Sequence, residues 1–276
     1  MVIGYLKKNK HLKMKRILLF RSLIIVFFCI LNTVAAQKGT SELASLGIHI
    51  IPYPQEVQLG GDDFILQNSL NVILDKDATP TDLKTAELLK NALVDDWGLT
   101  VNISRENDTK GIVLTRKGVG ASIKDQGYSL GTDMDRLSIL AKDEDGLFYG
   151  VQTFLQLIKK DRTRLFVPGM EILDWPDVKI RAAHYDTKHH QDRASYVKSF
   201  IRDLAKYKIN MLVWEWEDKL AYKSHPEIGA PGAFTLEEMK EFTAYARDYH
   251  IELTPLVQGL GHVSFILKWP QYRDLR

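Results

Sequence analysis

The sequence predicts an α/β protein in two parts. A small α+β domain, a sheet with two helices, occupies residues 37–176, and a parallel β/α array begins in residues 177–276. Three observations carry this. Before Pro176, short apolar runs of strand length are interrupted by two segments of helical period. After it, the runs 179–186, 211–219 and 251–257 are separated by two more helical periods, with about 30 and then about 40 residues from strand to strand. Crossovers of that length join parallel strands. Polar residues also collect just past each of these runs: His184 and Asp186, then Glu215, Glu217 and Asp218, then Gln258 and His262.

Residues 1–36 stand apart as an export signal. They hold Lys7, Lys8, Lys10, Lys13, Lys15, Arg16 and Arg21 with no acid, then an apolar run from Ser22 to Val34 and the small-residue site Val34-Ala35-Ala36 before Gln37. The run is too short for a comfortable membrane span, so no stable membrane insertion is expected after cleavage, and the product is expected in the periplasm or outside the cell. Without those seven basic residues, 30 remain against 35 acids, a balance near −5. A basic surface for nucleic acid is thereby disfavoured. Cys29, the one cysteine, falls within the signal, which leaves the rest of the chain without thiol or disulfide chemistry.

Along the first domain, the two prolines of Ile50–Leu59 suit an edge strand, Gly60-Gly61-Asp62-Asp63 a turn, and Phe64–Leu74 one or two strands. Leu83, Ala86, Leu89, Leu93 and Trp97 share a helical face, with Thr79 as cap, Pro80 in the first turn and Gly98 at the end. Strands follow at 99–104 and 111–116, and a hairpin at 127–142. A second helix starts near Asp145 with Leu147, Val151, Phe154, Leu155 and Ile158 on one face. Residues 166–176 read as an extended connection framed by two prolines. The sequons Asn102-Ile103-Ser104 and Asn107-Asp108-Thr109 matter only in a glycosylating host.

In the second part, helices at 195–207 and 235–246 carry Val197, Phe200, Ile201 and Leu204, then Leu236, Met239, Phe242 and Ala246, inward, and Thr235 with Glu238 forms a capping box. An open doubly wound sheet and the opening of a (β/α)8 barrel both fit. No glycine-rich phosphate turn follows Asp186, and the polar residues past the strand ends lie where a barrel keeps its site, which favours the barrel. The run Met211–Lys219 (MLVWEWEDK) ends in three acids that must meet cations, water or a polar ligand.

Several runs in order resemble glycoside hydrolase family 20, the β-N-acetylhexosaminidases: IPYPQEV, DGLFYGVQTFLQLI, VPGMEILDWPDVKIRAAHYD, YKINMLVWEWEDK and VQGLGHVSF. The resemblance implies a small α+β domain followed by a (β/α)8 barrel, and hydrolysis of terminal N-acetylhexosamine from glycans. It implies a retaining, substrate-assisted mechanism without cofactor or metal, in which the 2-acetamido oxygen attacks the anomeric carbon and water opens the oxazoline. The family's reacting Asp-Glu pair follows its fourth barrel strand. No Asp-Glu dipeptide occurs after the junction here, and 98 residues from Lys179 to Arg276 fall short of the roughly 250 of a full barrel. The expectation is therefore an N-terminal fragment of about three β/α units, inactive alone.

By the same resemblance, Arg181 matches an arginine that binds sugar hydroxyls, against a structural pairing with Asp186. Asp218 and His262 match a hydrogen-bonded Asp–His chain to the catalytic acid. Glu215 and Glu217, two apart, are expected on one side, lining the sugar site or pairing with Lys219 and Lys188. His189-His190 stands where relatives carry Arg-His; a metal site there lacks a third ligand. A related glycosidase with another sugar preference, and a non-catalytic carbohydrate-binding or assembly protein, remain as alternatives.

Overall fold

A computed structural model of the protein describes residues 42–105, 110–118, 120, 122–188 and 190–276. The segment expected to be an export signal, with Cys29, the sequon at Asn107 and His189 lie outside them. Contacts divide the chain between Ile48 and His49. The described residues of the first unit make one helical turn, Glu42–Ser45, followed by Gly47 at φ 66°.

The second unit, His49–Arg276, holds three sheets. Strands β1 (Glu56–Leu59), β3 (Ser69–Leu74), β4 (Thr100–Ser104), β5 (Gly111–Thr115), β6 (Tyr128–Asp133), β7 (Arg136–Ala141) and β10 (Met170–Asp174) form a seven-stranded sheet in the order β1-β10-β6-β7-β5-β3-β4. β2 (Phe64–Leu66), β8 (Lys159–Lys160) and β9 (Leu165–Val167) make a small antiparallel sheet in the order β2-β9-β8. The stretch expected to be a mere connection is thus two strands, and β10 lies between β1 and β6. The reason is local: Met170 and Ile172 are buried while Glu171 between them is exposed, the period-two pattern of a strand.

Helix α1 (Pro80–Trp97) has the expected ends. Thr79 and Asp82 form a capping box, and Gly98 closes the helix at φ 68°. Helix α2 (Glu144–Leu157) differs from expectation. All residues from Gly146 to Phe154 are buried, not one face alone. It lies against β6 and β7 on one side and against α1 and the next helix on the other, so it has no solvent face to keep polar.

The last hundred residues give β11 (Ala182–Tyr185), β12 (Met211–Glu215) and β13 (Glu252–Leu256), all parallel, with α3 (Ala194–Lys206) and α4 (Leu236–Asp248) as crossovers. Tyr185 is in register with Trp214 and Pro255, and Trp214 packs against Tyr185, Phe234 and Phe242 to form the core beneath the helices. His184 is in register with Val213 and Thr254, so alternation turns these three, and then Glu215, to the opposite face.

Both crossover helices end in a non-glycine residue with left-handed backbone, Lys208 at φ 58° and His250 at φ 56°. Both side chains reach acids of the preceding layer: Lys208 Nζ lies 2.7 Å from Asp174 Oδ2, and His250 Nδ1 lies 2.7 Å from Asp145 Oδ1 with its ring stacked on Phe148. Among the described residues no helix is long and apolar enough to cross a membrane.

Candidate functional site

The site begins where β12 stops. Trp214 must point into the aromatic core, so the next residue, Glu215, turns to the opposite face at the strand's C-terminal end. Its side chain is only 1% exposed. Oε1 accepts from Gln258 Nε2 at 3.1 Å and from Lys188 Nζ at 3.1 Å, and lies 3.2 Å from His184 Nε2. The Thr187 hydroxyl donates to the Glu215 carbonyl at 2.8 Å. Glu215 therefore gathers the ends of all three parallel strands: its carboxyl meets His184 of β11, Lys188 just past β11 and Gln258 just past β13, and its backbone carbonyl meets Thr187.

Around this hub the chain turns sharply. Glu217 opens a 3-10 turn, Glu217–Lys219, at φ 30°, a strained backbone for a side-chain-bearing residue. The strand has already ended, so strand alternation does not set the direction of Glu217. Its carboxyl is buried, and Oε1 has no hydrogen-bond partner. Burial, and next the charge of Glu215, push its pKa above the usual glutamate value. A carboxyl raised in this way favours the folded state below the ordinary glutamate range and loses that contribution as pH rises through the raised value. Glu217→Gln is accordingly expected to raise the melting temperature at pH 7 and to change it little at pH 4. A larger gain at pH 4 would contradict this account.

Lys188 is the cation of the site. Its ammonium is held above its ordinary range, first by the hydrogen bond to Glu215. Asp186 accepts from the Lys188 backbone N–H at 3.0 Å, the main cause that lowers its pKa. Asp218 bonds Lys219 Nζ at 2.8 Å, and Lys219 is itself buried. Of the pairings weighed from the sequence, Glu215 and Glu217 with Lys219 and Lys188, that of Glu215 with Lys188 forms, whereas Lys219 pairs with Asp218.

The residues singled out by resemblance are distributed differently. His262 is exposed, at φ 56°, and among the described residues no hydrogen bond joins it to Asp218. Arg181 precedes β11, at the opposite end of the strands from Glu215 and about 15 Å along the chain from Asp186 by strand rise. Its guanidinium donates to the carbonyls of Lys208 (2.6 Å) and Val178 (3.0 Å) and to Gln126 Oε1 (2.9 Å), and sits over the Tyr149 ring. That is the seam between the two layers, not the cluster around Glu215, and no bond to Asp186 forms. His190 Nε2 lies 3.1 Å from Asp192 Oδ2, to which the Tyr185 hydroxyl also donates. No group of three or more His, Cys, Asp or Glu side chains suited to a metal occurs among the described residues. The Asp143-Glu144 dipeptide is a helix cap: Asp143 Oδ1 accepts from the Gly146 N–H at 2.8 Å.

From the sequence Lys188 stands out only as a partner, and nothing marks Glu215 as the centre. The available signal was positional, since Glu215 is the first polar residue after the apolar part of β12 and Lys188 lies two residues past Asp186.

Residues 47–175 match glycosyl hydrolase family 20, domain 2. The chain is 26% identical over 275 residues to the β-hexosaminidase of Porphyromonas gingivalis, covering 88% of this chain and 35% of that relative. A stretch of 98 residues is 30% identical to hexosaminidase D of Bos taurus, 35% of this chain and 28% of that protein. The chain thus spans about a third of the curated relatives' length. Its fold matches the GH20 β-N-acetylhexosaminidase of Streptomyces coelicolor A3(2) with a TM-score of 0.71 at 26% identity, covering 79% of this chain and 48% of that one. By domain, sequence and fold, this chain is similar to the β-N-acetylhexosaminidases of glycoside hydrolase family 20.

Proposed function

We propose that residues 177–276 supply the first three strands of a (β/α)8 barrel, that residues 37–176 are the α+β domain before it, and that the strand ends bind a terminal N-acetylhexosamine. The enzyme so formed is an exported β-N-acetylhexosaminidase acting on glycans. The observation that carries this reading is the convergence of His184, Lys188, Glu215 and Gln258 on one point at the C-terminal ends of parallel strands.

In this reading the chemistry belongs to the substrate's own acetamido group and to an Asp-Glu pair that the sequence after residue 177 does not contain. What this chain contributes is binding. Lys188 and Gln258 offer donors to sugar oxygens, the exposed Asp186 offers an acceptor, and the aromatic core under Trp214 holds the strands that present them. The signal pattern of residues 1–36 supports export.

Titration calorimetry with N-acetylglucosamine and with glucose tests the reading. Saturable binding of N-acetylglucosamine, at least about tenfold tighter than glucose or about 1.4 kcal/mol, is expected. Equal affinity for the two favours a glycosidase of another sugar preference, and no binding of either overturns the proposal.

A further inference from the structure

The small antiparallel sheet frames a second concave site. A cleft of about 380 Å³ lies between the corner joining β2 to β3, where Gln67 and Asn68 are exposed, and the turn joining β8 to β9. It shares no lining residue with the cluster around Glu215. Its volume falls within the range of small-molecule sites.

The turn, Lys160-Asp161-Arg162-Thr163-Arg164, brings three cations and one acid to the wall of the cleft. The acid is used up locally. Asp161 Oδ1 accepts from the Thr163 and Arg164 backbone N–H groups, both at 2.9 Å, and from the Thr163 hydroxyl at 3.1 Å. Its Oδ2 accepts from Arg164 Nε at 2.9 Å. Arg164 is used up as well: Nη1 lies 3.1 Å from Asp63 Oδ2, and the guanidinium covers the Phe166 ring. These bonds fix the turn and leave two cations over. Lys160 and Arg162 are exposed, and among the described residues neither side chain has a hydrogen bond or an ion pair. The Gln67 and Asn68 amides across the cleft are equally unengaged.

The lining also selects among anions. Arg162 offers a planar fork that fits a carboxylate or sulfate through two N–H groups, and Lys160 adds a point charge. Side-chain amides both donate and accept, which suits hydroxyls. Nucleic acid fits less well, because no aromatic ring lines the cleft to stack on a base, and Phe166 is already covered by Arg164. We propose that this cleft binds an acidic saccharide, with Arg162 and Lys160 holding its carboxylate or sulfate and Gln67 and Asn68 its hydroxyls. The turn is held by its own bonds before any ligand arrives, so little ordering is needed on binding. The site gives the chain a hold on acidic glycans that does not depend on the reading of the strand ends.

Titration calorimetry of the whole chain at low salt tests this with two probes, digalacturonic acid and glucose sulfate. Cellobiose, inorganic sulfate and a single-stranded oligothymidylate serve as comparisons. At least one acidic probe is expected to bind saturably, about tenfold or more tighter than cellobiose and inorganic sulfate, and to weaken as salt is added. Which probe binds tells whether the anion is a carboxylate or a sulfate. The double variant Lys160→Ala, Arg162→Ala is expected to lose about tenfold or more, and Gln67→Ala with Asn68→Ala about threefold or more. All four side chains are exposed, so thermal melts of both variants are expected to match the unsubstituted protein. N-acetylglucosamine binding is expected to be the same in the Lys160, Arg162 variant, which separates this site from the strand ends. Binding of neither acidic probe, or an affinity unchanged by the Lys160, Arg162 substitutions, overturns the inference. Inorganic sulfate bound as tightly as the acidic sugars overturns saccharide recognition, and tighter binding of the oligothymidylate overturns the ligand class.

Discussion

Lys208→Gly is expected to destabilise the protein by about 2–4 kcal/mol, the reverse of what its backbone alone predicts. Lys208 occupies a left-handed position past a helix end, where glycine relieves roughly 1 kcal/mol of strain. Its ammonium, however, is buried 2.7 Å from Asp174 Oδ2 and donates at 3.0 Å to the Tyr128 hydroxyl, which donates in turn to Asp174 at 2.8 Å. Burial lowers the Lys208 pKa and pushes the Tyr128 pKa well above its usual value, so this is a dry network. Removing one partner of a buried pair typically costs about 3–5 kcal/mol, because the other charge stays behind unpaired. Urea unfolding of Lys208→Gly measures the difference, and adding Asp174→Asn is expected to restore part of it. A glycine variant as stable as the unsubstituted protein would show that the seam between the layers does not depend on this ion pair.

Gly146→Ala is expected to cost about 1–3 kcal/mol, although alanine is the better helix former by roughly 1 kcal/mol. Helix α2 approaches the preceding hairpin so closely that a Cβ at this position would lie 2.3 Å from the Gly127 carbonyl oxygen. That oxygen belongs to backbone tied by the Lys142 N–H and cannot swing aside like a side chain. One helical turn on, at Gly150, a Cβ would lie 2.4 Å from Ile139 Cγ2 and 3.1 Å from the Tyr128 ring. The Gly150→Ala variant is therefore expected to disturb the Lys208 network as well. Thermal melts of the two alanine variants decide this, and a raised melting temperature in either would contradict the close approach.

These seam residues also show where sequence reading succeeds and stops. The period-two and helical runs located the strands and helices because burial on one face imposes that period, and Thr79, Gly98 and Thr235 marked ends because their chemistry is local. The prolines beside 169–175 concealed a strand, since they sit at its ends, where no ladder bond is lost. Helix α2 reads as amphipathic from Leu147, Val151 and Phe154, but its second buried face is made by a layer far along the chain. The acids at the end of β12 were legible as a site. Their partners were less so: the contact of Glu215 with His184 and Lys188 depends on register between β11 and β12, and its contact with Gln258 on a strand 40 residues away. Arg181 shows the converse limit. A motif match gave it a ligand role, while the strand direction places it at the far end, bound to backbone carbonyls.

The proposed sugar site lies at the C-terminal ends of β11, β12 and β13. A crystal structure of the protein soaked with N-acetylglucosamine tests it most directly. A sugar ring with hydroxyls within hydrogen-bond distance of Lys188, Asp186 or Gln258 is expected. A sugar ordered only elsewhere on the molecule, or bound at the Arg181 end of the strands, would contradict it.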